Sequence, residues 1–197
     1  MLLYMPTKST IAVKHLNNMV WMDMEMTGLS ATENVIIEVA IVITDGNLNI
    51  LAESISYAIS QPDSELAKMD KWNVKTHTKS GLIERVKESS YTLEQVEKEL
   101  LKLIKKYTLK NQTPLCGNTI HQDRKFLAQY MPSIEEYLHY RNIDISTIKE
   151  LAKRWYPEIY ADFKKHNKHE ALADIHESIE ELKHYWQHMF IPLALKK

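Results

Sequence analysis

Hydrophobic and polar positions change period part-way along the chain. Val20 to Met26 alternates, with Met22, Met24 and Met26 on one face of a strand and Trp21, Asp23 and Glu25 on the other. Val35 to Thr44 is β-branched and almost continuously apolar, the pattern of a central strand covered on both faces. Asp45-Gly46 marks a hairpin turn. Leu48 to Ile59, where Ile55, Tyr57 and Ile59 alternate with Ser54, Ser56 and Ala58, completes an expected three-stranded meander.

Helical spacing follows. Ser64 to Trp72 and Gly81 to Lys87 read as short helices around a polar stretch from Asn73 to Ser80. Thr92-Leu93-Glu94-Gln95 is a capping box opening a helix with Leu93, Val96, Leu100, Leu103, Ile104 and Tyr107 on one face; its Lys98, Lys102, Lys105 and Lys106 are expected to face solvent. Pro114-Leu115-Cys116 reads as a short buried strand and Thr119 to Tyr130 as a helix. Ile143-Asp144-Ile145 is a further strand, and a helix from Thr147 runs through Leu151 and Trp155. A last helix spans Glu170 to Met189 with Leu172, Ile175, Ile179, Leu182 and Trp186 inward. No repeat or Pro/Gly/Ser linker divides the chain. The pattern predicts one α/β domain whose mixed sheet begins antiparallel and gains strands through helical crossovers. Residues 1–17 lack periodicity and are expected to be a loosely ordered extension, and residues 191–197 a C-terminal tail.

Composition narrows the function. The chain has 197 residues, 44% hydrophobic and 26% charged, as an ordinary soluble domain has. Lys plus Arg number 25 against 26 for Asp plus Glu, so the net charge of -1 offers no global attraction to a polyanion, and nucleic-acid contact must be local. The four glycines lie at least 18 positions apart, which excludes a dinucleotide fingerprint and a P-loop. One cysteine, Cys116, excludes an intrachain disulfide and a thiolate zinc cluster and fits a reducing compartment. No apolar run approaches the ~18 residues of a membrane span. The N-terminal stretch lacks the order of parts in a secretory signal, so a cytoplasmic location with no membrane partner is expected.

The candidate chemistry is acidic. Asp23 and Glu25 share a strand face with Cα atoms ~7 Å apart, and they are flanked by Trp21, Met22, Met24 and Met26 rather than by polar residues. A divalent cation would compensate such a pair, and hard oxygen donors favour magnesium or manganese over zinc. Asp123 follows a buried strand at the start of a helix, and Asp174 lies in His169-Glu170-Ala171-Leu172-Ala173-Asp174. Five helical residues leave two side chains ~140° apart, so His169 can share a site with Asp174 only from ahead of the helix. A zinc-protease motif is excluded, because its second histidine would fall at Ala173.

Together, Asp23-x-Glu25, Asp123 and His169-x4-Asp174 resemble the DEDDh superfamily of 3′ to 5′ exonucleases. Five further segments, Trp21 to Leu29, Met69 to Asn73, Thr76 to Leu82, Cys116-Gly117-Asn118 and Tyr140 to Thr147, resemble its oligoribonuclease family. The resemblance covers about Asn18 to Phe190. It implies a ribonuclease H-like mixed central sheet flanked by helices, and an exonuclease domain over residues 18–190. It implies two divalent cations held by Asp23, Glu25, Asp123 and Asp174, with His169 as general base. Short single-stranded RNA, especially a dinucleotide, is the implied substrate, with nucleoside 5′-monophosphates as products. Leu29 is implied to wedge between two bases, Trp72 to lie near the terminal nucleotide, and Thr119, Arg141, Ser146 and Thr147 to surround the 5′-phosphate. His77, as a substrate-binding residue, and Tyr140, as a catalytic one, are implied to approach from the second protomer of a homodimer. Thr119 stands where the family usually has Ser, His121 where it has a small residue, and Ala173 where it has an acid. DNA-directed or tRNA-trimming exonucleases with the same catalytic set are the alternatives, as is a catalytically silent RNA-binding protein.

Overall fold

The central pair of strands sets the frame. In the computed structural model, which describes residues 15–164 and 170–190, β1 (Met19–Met26) lies antiparallel to β2 (Ile36–Thr44), with Asp23 opposite Ala40 and Glu25 opposite Glu38. The predicted tail, most of the predicted extension and His169 lie outside the described residues. Every residue of β2 is buried, as its continuous apolar run predicts. The register shifts between Glu25 and Met26, an irregularity beside the two acids after which Met26 pairs with Ile36.

The expected unbroken third strand is two short ones, β3 (Ile50–Glu53) and β4 (Tyr57–Ala58), both antiparallel to β2. Ser54 causes the break, because its hydroxyl accepts the Ile41 N–H at 2.9 Å in place of a backbone carbonyl.

Three helices follow, α1 (Asp63–Leu66), α2 (Lys71–Lys79) and α3 (Leu82–Glu88). The expected helix from Ser64 to Trp72 is divided, and the polar stretch after it is helical. Asp70 accounts for both: its carboxylate accepts the Asn73 N–H at 2.8 Å and caps a new helix. The apolar stripe is missing because His77 is the one buried residue of α2.

Helix α4 (Leu93–Tyr107) opens with the expected capping box, and its four lysines are exposed. It leads to β5 (Leu115–Gly117), α5 (His121–Tyr130), α6 (Pro132–Glu135), β6 (Asn142–Asp144), α7 (Ile145–Trp155), α8 (Pro157–Asp162) and α9 (Ala171–Met189). Helices α6 and α8 are absent from the sequence reading; in each, a proline that reads as a break occupies the first helical turn. Strand β6 ends a residue early, since Asp144 already caps α7 through the Ser146 N–H at 2.9 Å. The sheet order is β3-β2-β1-β5-β6 with β4 also on β2; β5 runs parallel to β1, and β6 parallel to β5. The mixed sheet and single domain are as predicted. Among the described residues no helix is long and apolar enough to cross a membrane.

The alternation of β1 holds on both faces. Val20, Met22 and Met24 pack with Val96, Leu100 and Ile104 of α4 and Phe126 and Leu127 of α5. On the opposite face Trp21 packs with Ile145 and Ala152 of α7 and Ile175, Ile179 and Tyr185 of α9. Trp186 is not inward: it is 44% exposed, while Glu181 and Tyr185 are buried. A polar pair can take the inner face because the Tyr185 hydroxyl donates to Glu181 at 3.1 Å and Lys149 neutralises Glu181 at 2.9 Å.

Gly117, where β5 leaves the sheet, is required by contact. A Cβ there would lie 2.9 Å from the Met22 carbonyl oxygen and 2.8 Å from Ile120 Cδ1. Gly117→Ala should lower unfolding free energy by about 1–3 kcal/mol, read as a lower urea midpoint with an unchanged denaturant slope.

Candidate active site

The site forms where β1 outruns β5. Strand β5 pairs with β1 at Val20 and Trp21, then turns away at Gly117. The freed edge is taken by Asp123 in the first turn of α5, whose Oδ1 accepts the Met24 N–H at 2.9 Å. Asp23 and Glu25 lie on the face that α9 covers, and the first turn of α9 brings in Asp174. One carboxylate oxygen from each of Asp23, Glu25 and Asp174 falls within a 4.8 Å cluster. Oxygen donors alone, gathered this closely, fit a hard divalent cation. Since α9 begins at Ala171, His169 precedes the helix in sequence, as a shared site requires.

Burial and repulsion act together here. Loss of water holds Asp23 well above the usual carboxylate range, and Asp123, Glu25, Asp174 and Glu38 add to the effect. Glu25 is pushed up to about 8, first by burial and then by Asp174, Glu38 and Asp123. Asp123 is pushed up to about 7 by burial, against the lowering effect of its backbone hydrogen bonds.

Glu38 supports the cluster from β2. It is fully buried opposite Glu25, paired with Arg85 of α3, and its Oε2 accepts the Ala171 N–H at 3.0 Å. The start of α9 is thereby tied to the central sheet three residues before Asp174.

His77 is placed differently from the expectation that it comes from a second protomer. It is fully buried within its own chain, with Nε2 4.0 Å from Glu25 Oε2. The formation of α2 is the reason, since that helix turns one residue inward and it is His77.

The other predicted residues lie around the acids. Leu29 is 77% exposed beyond the end of β1, and its carbonyl accepts from Gln122 Nε2. Trp72 is 59% exposed in the first turn of α2. Thr119 and Ser146 meet with hydroxyl oxygens 3.0 Å apart, and Thr147 follows in the first turn of α7. Arg141 immediately precedes β6, with its guanidinium 5.5 Å from the Tyr140 ring, and Tyr140 is 74% exposed. His121, one of the departures, lies with Nδ1 3.6 Å from Asp144.

A family profile described as an exonuclease matches residues 20–182. The oligoribonuclease of Nitrosomonas eutropha is 56% identical over 174 residues, 88% of this chain and 96% of that protein. The chain belongs to the oligoribonuclease family. The oligoribonuclease of Neisseria meningitidis serogroup B is likewise 53% identical over 175 residues, covering 89% of this chain and 94% of its own. Among solved structures, a zinc-bound complex of E. coli exonuclease I with single-stranded DNA superposes with a TM-score of 0.68 at 14% identity over 88% of this chain. Exonuclease I from Methylocaldum szegediense gives 0.64 at 15% identity over 87%. These two likenesses speak for the fold, and this chain spans 41% of the length of each.

Glu38, Asn118 and Asp144, to which the sequence reading gives no role, support the site through hydrogen bonds. Glu38 is hidden in a strand that otherwise reads as pure core. Asp144 is signalled by its place one residue ahead of a helix start.

The raised carboxylates set a pH dependence. Unfolded, Glu25 titrates near 4.5, and folded near 8, so between these values the metal-free folded state holds more protons than the unfolded chain. Stability of the metal-free protein is therefore greatest at the bottom of that window and falls as pH rises through it. Thermal unfolding in a chelator should show the fall, and Glu25→Gln should make it shallower, Asp23 and Asp123 supplying the remainder.

Proposed function

We propose that the protein is a 3′ to 5′ exoribonuclease that hydrolyses short oligoribonucleotides, especially dinucleotides, to nucleoside 5′-monophosphates. The observation that carries this reading is the convergence of Asp23, Glu25 and Asp174 within 4.8 Å beside Asp123, in a chain of this family.

Asp23, Glu25, Asp123 and Asp174 would hold two divalent cations, magnesium or manganese. When bound, the ions would supply positive charge that stabilises the attacking and leaving oxygens of an in-line displacement at phosphorus. Asp23, Glu25 and Asp123 would give up their raised proton affinity on binding, which would relieve the repulsion of the metal-free cluster. His169 takes a proton from the attacking water at its imidazole, a group suited to the task near neutral pH. The water oxygen bonds to the terminal phosphodiester phosphorus, the bond to the preceding 3′-oxygen breaks, and that oxygen takes up a proton.

The preference for short chains comes from the far end of the substrate. Thr119, Arg141, Ser146 and Thr147 surround the 5′-phosphate. Arg141 binds it with two parallel donors, and Ser146 and Thr147 lie in the first turn of α7, where the helix dipole favours an anion. A pocket closed around that phosphate leaves no path for a longer strand. The exposure of Leu29 and Trp72 suits wedging against the bases. Tyr140, exposed beside Arg141, reaches the site of the second protomer in a homodimer. The lone buried thiol, Cys116, supports a reading in which the protein works in the reducing cytoplasm.

The test compares initial rates with manganese on a 5′-labelled RNA dinucleotide and a ~20-mer. A strong preference for the dinucleotide is expected. Equal or faster trimming of the longer strand would move the function to a processing exonuclease, and no turnover of either would leave a silent RNA binder. Asp23→Ala should lower the rate by about 10³-fold or more while the chain stays folded. Arg141→Ala should raise KM for the dinucleotide by about tenfold, with a smaller effect on long RNA.

A further inference from the structure

Behind the proposed 5′-phosphate pocket runs a chain of hydrogen bonds that the hydrolytic chemistry does not use. It starts at Glu181, fully buried on α9 and 2.9 Å from Lys149 Nζ on α7. Asn118 Nδ2 donates to Glu181 Oε2 at 3.1 Å and to Ser178 Oγ at 2.8 Å. Asn118 Oδ1 accepts the Ser146 hydroxyl at 3.1 Å. Ser146 Oγ in turn accepts the Thr119 N–H at 2.9 Å and lies 3.0 Å from Thr119 Oγ1.

The donors in this chain can point only one way. A carboxylate paired with lysine offers lone pairs alone, so it must face the amide NH₂ of Asn118. Ser178 imposes the same orientation, because its hydroxyl hydrogen is engaged with the Asp174 carbonyl at 2.8 Å. The Asn118 oxygen is thereby turned to Ser146 and draws the Ser146 hydrogen to itself. Ser146 is left with lone pairs toward Thr119, and in the contact between the two hydroxyls Thr119 is the donor. Thr119 has φ +54, uncommon for a β-branched residue. Its N–H is held in that conformation by Ser146 Oγ and by Asp144 Oδ1 at 3.0 Å.

We propose that Asn118, backed by buried Glu181 and its partner Lys149, is a positioning residue that sets the polarity of the 5′-phosphate pocket. Ser146 serves as the acceptor that holds the Thr119 loop through the Thr119 N–H, and the Thr119 hydroxyl, which gives its one hydrogen to Ser146 in the free pocket, rotates to give that hydrogen to the phosphate instead. The inference rests on the 5′-phosphate reading of this pocket.

The experiment measures KM and kcat on dinucleotides with and without a 5′-phosphate, with manganese. Asn118→Asp sets two carboxylates against each other. It should raise KM for the 5′-phosphorylated dinucleotide by about tenfold, with kcat and the 5′-hydroxyl substrate little changed. Adding Glu181→Gln returns a donor to the pair at the same net charge and should recover part of the loss. An equal, unrescued loss on both substrates would overturn the proposal. Ser146→Ala and Thr119→Ala, which remove only hydroxyl or small surface groups, give a second measurement. Combined, they should cost no more than the worse single change, because one acts through the other; additive losses would mean two independent phosphate ligands and would overturn it too. A wild-type enzyme indifferent to the 5′-phosphate would instead remove the pocket reading on which the inference rests.

Discussion

Carboxylates crowded together out of water are the constraint around which this molecule is built. Burial alone lifts the proton affinity of Asp23, Glu25 and Asp123, and each neighbour makes the next harder to ionise. Left alone, such a group would loosen the end of β1. It does not, because the surrounding bonds are made elsewhere: Asp123 completes the Met24 edge of the strand, and Glu38, itself paired with Arg85, accepts the first N–H of α9. The scaffold is bonded most fully where the charges are least comfortable, and either protons or a cation would relieve them.

The opposite end of the site works on a different principle. Around Thr119 and Ser146 order comes from the direction of hydrogen bonds, with the Asp144 carboxylate accepting both backbone N–H groups. Buried Glu181 and its partner Lys149 neutralise each other, so that their effect at the surface is an orientation and not a field. A site of this kind joins an acidic end suited to cations with a hydrogen-bonding end suited to an anion. That arrangement agrees with an overall charge of -1 on a chain that handles polyanionic substrates.

Most of the frame was legible in the sequence because it follows from period alone. The two faces of β1, the fully buried β2 and the capped α4 need no tertiary information. The acids were found because Asp23 and Glu25 sit among methionines and a tryptophan. What escaped were features in which polar groups replace apolar ones: α2, with one buried residue that is a histidine; the inner face of α9, where Glu181 and Tyr185 satisfy each other; and the Ser54 break after β3. Asn118 escaped for the same reason. Its role is a matter of which atoms lie 3 Å away, and single residues of that kind leave no periodic trace.

The acidic cluster also ties the two ends of the chain together, with Asp23 on the first strand and Asp174 on the last helix. A growing polypeptide holds the first of these acids long before the last has been made. The ribosome therefore releases almost the entire domain before the cluster can close, and assembly of the acidic site is a late event in the folding of the chain as it is made.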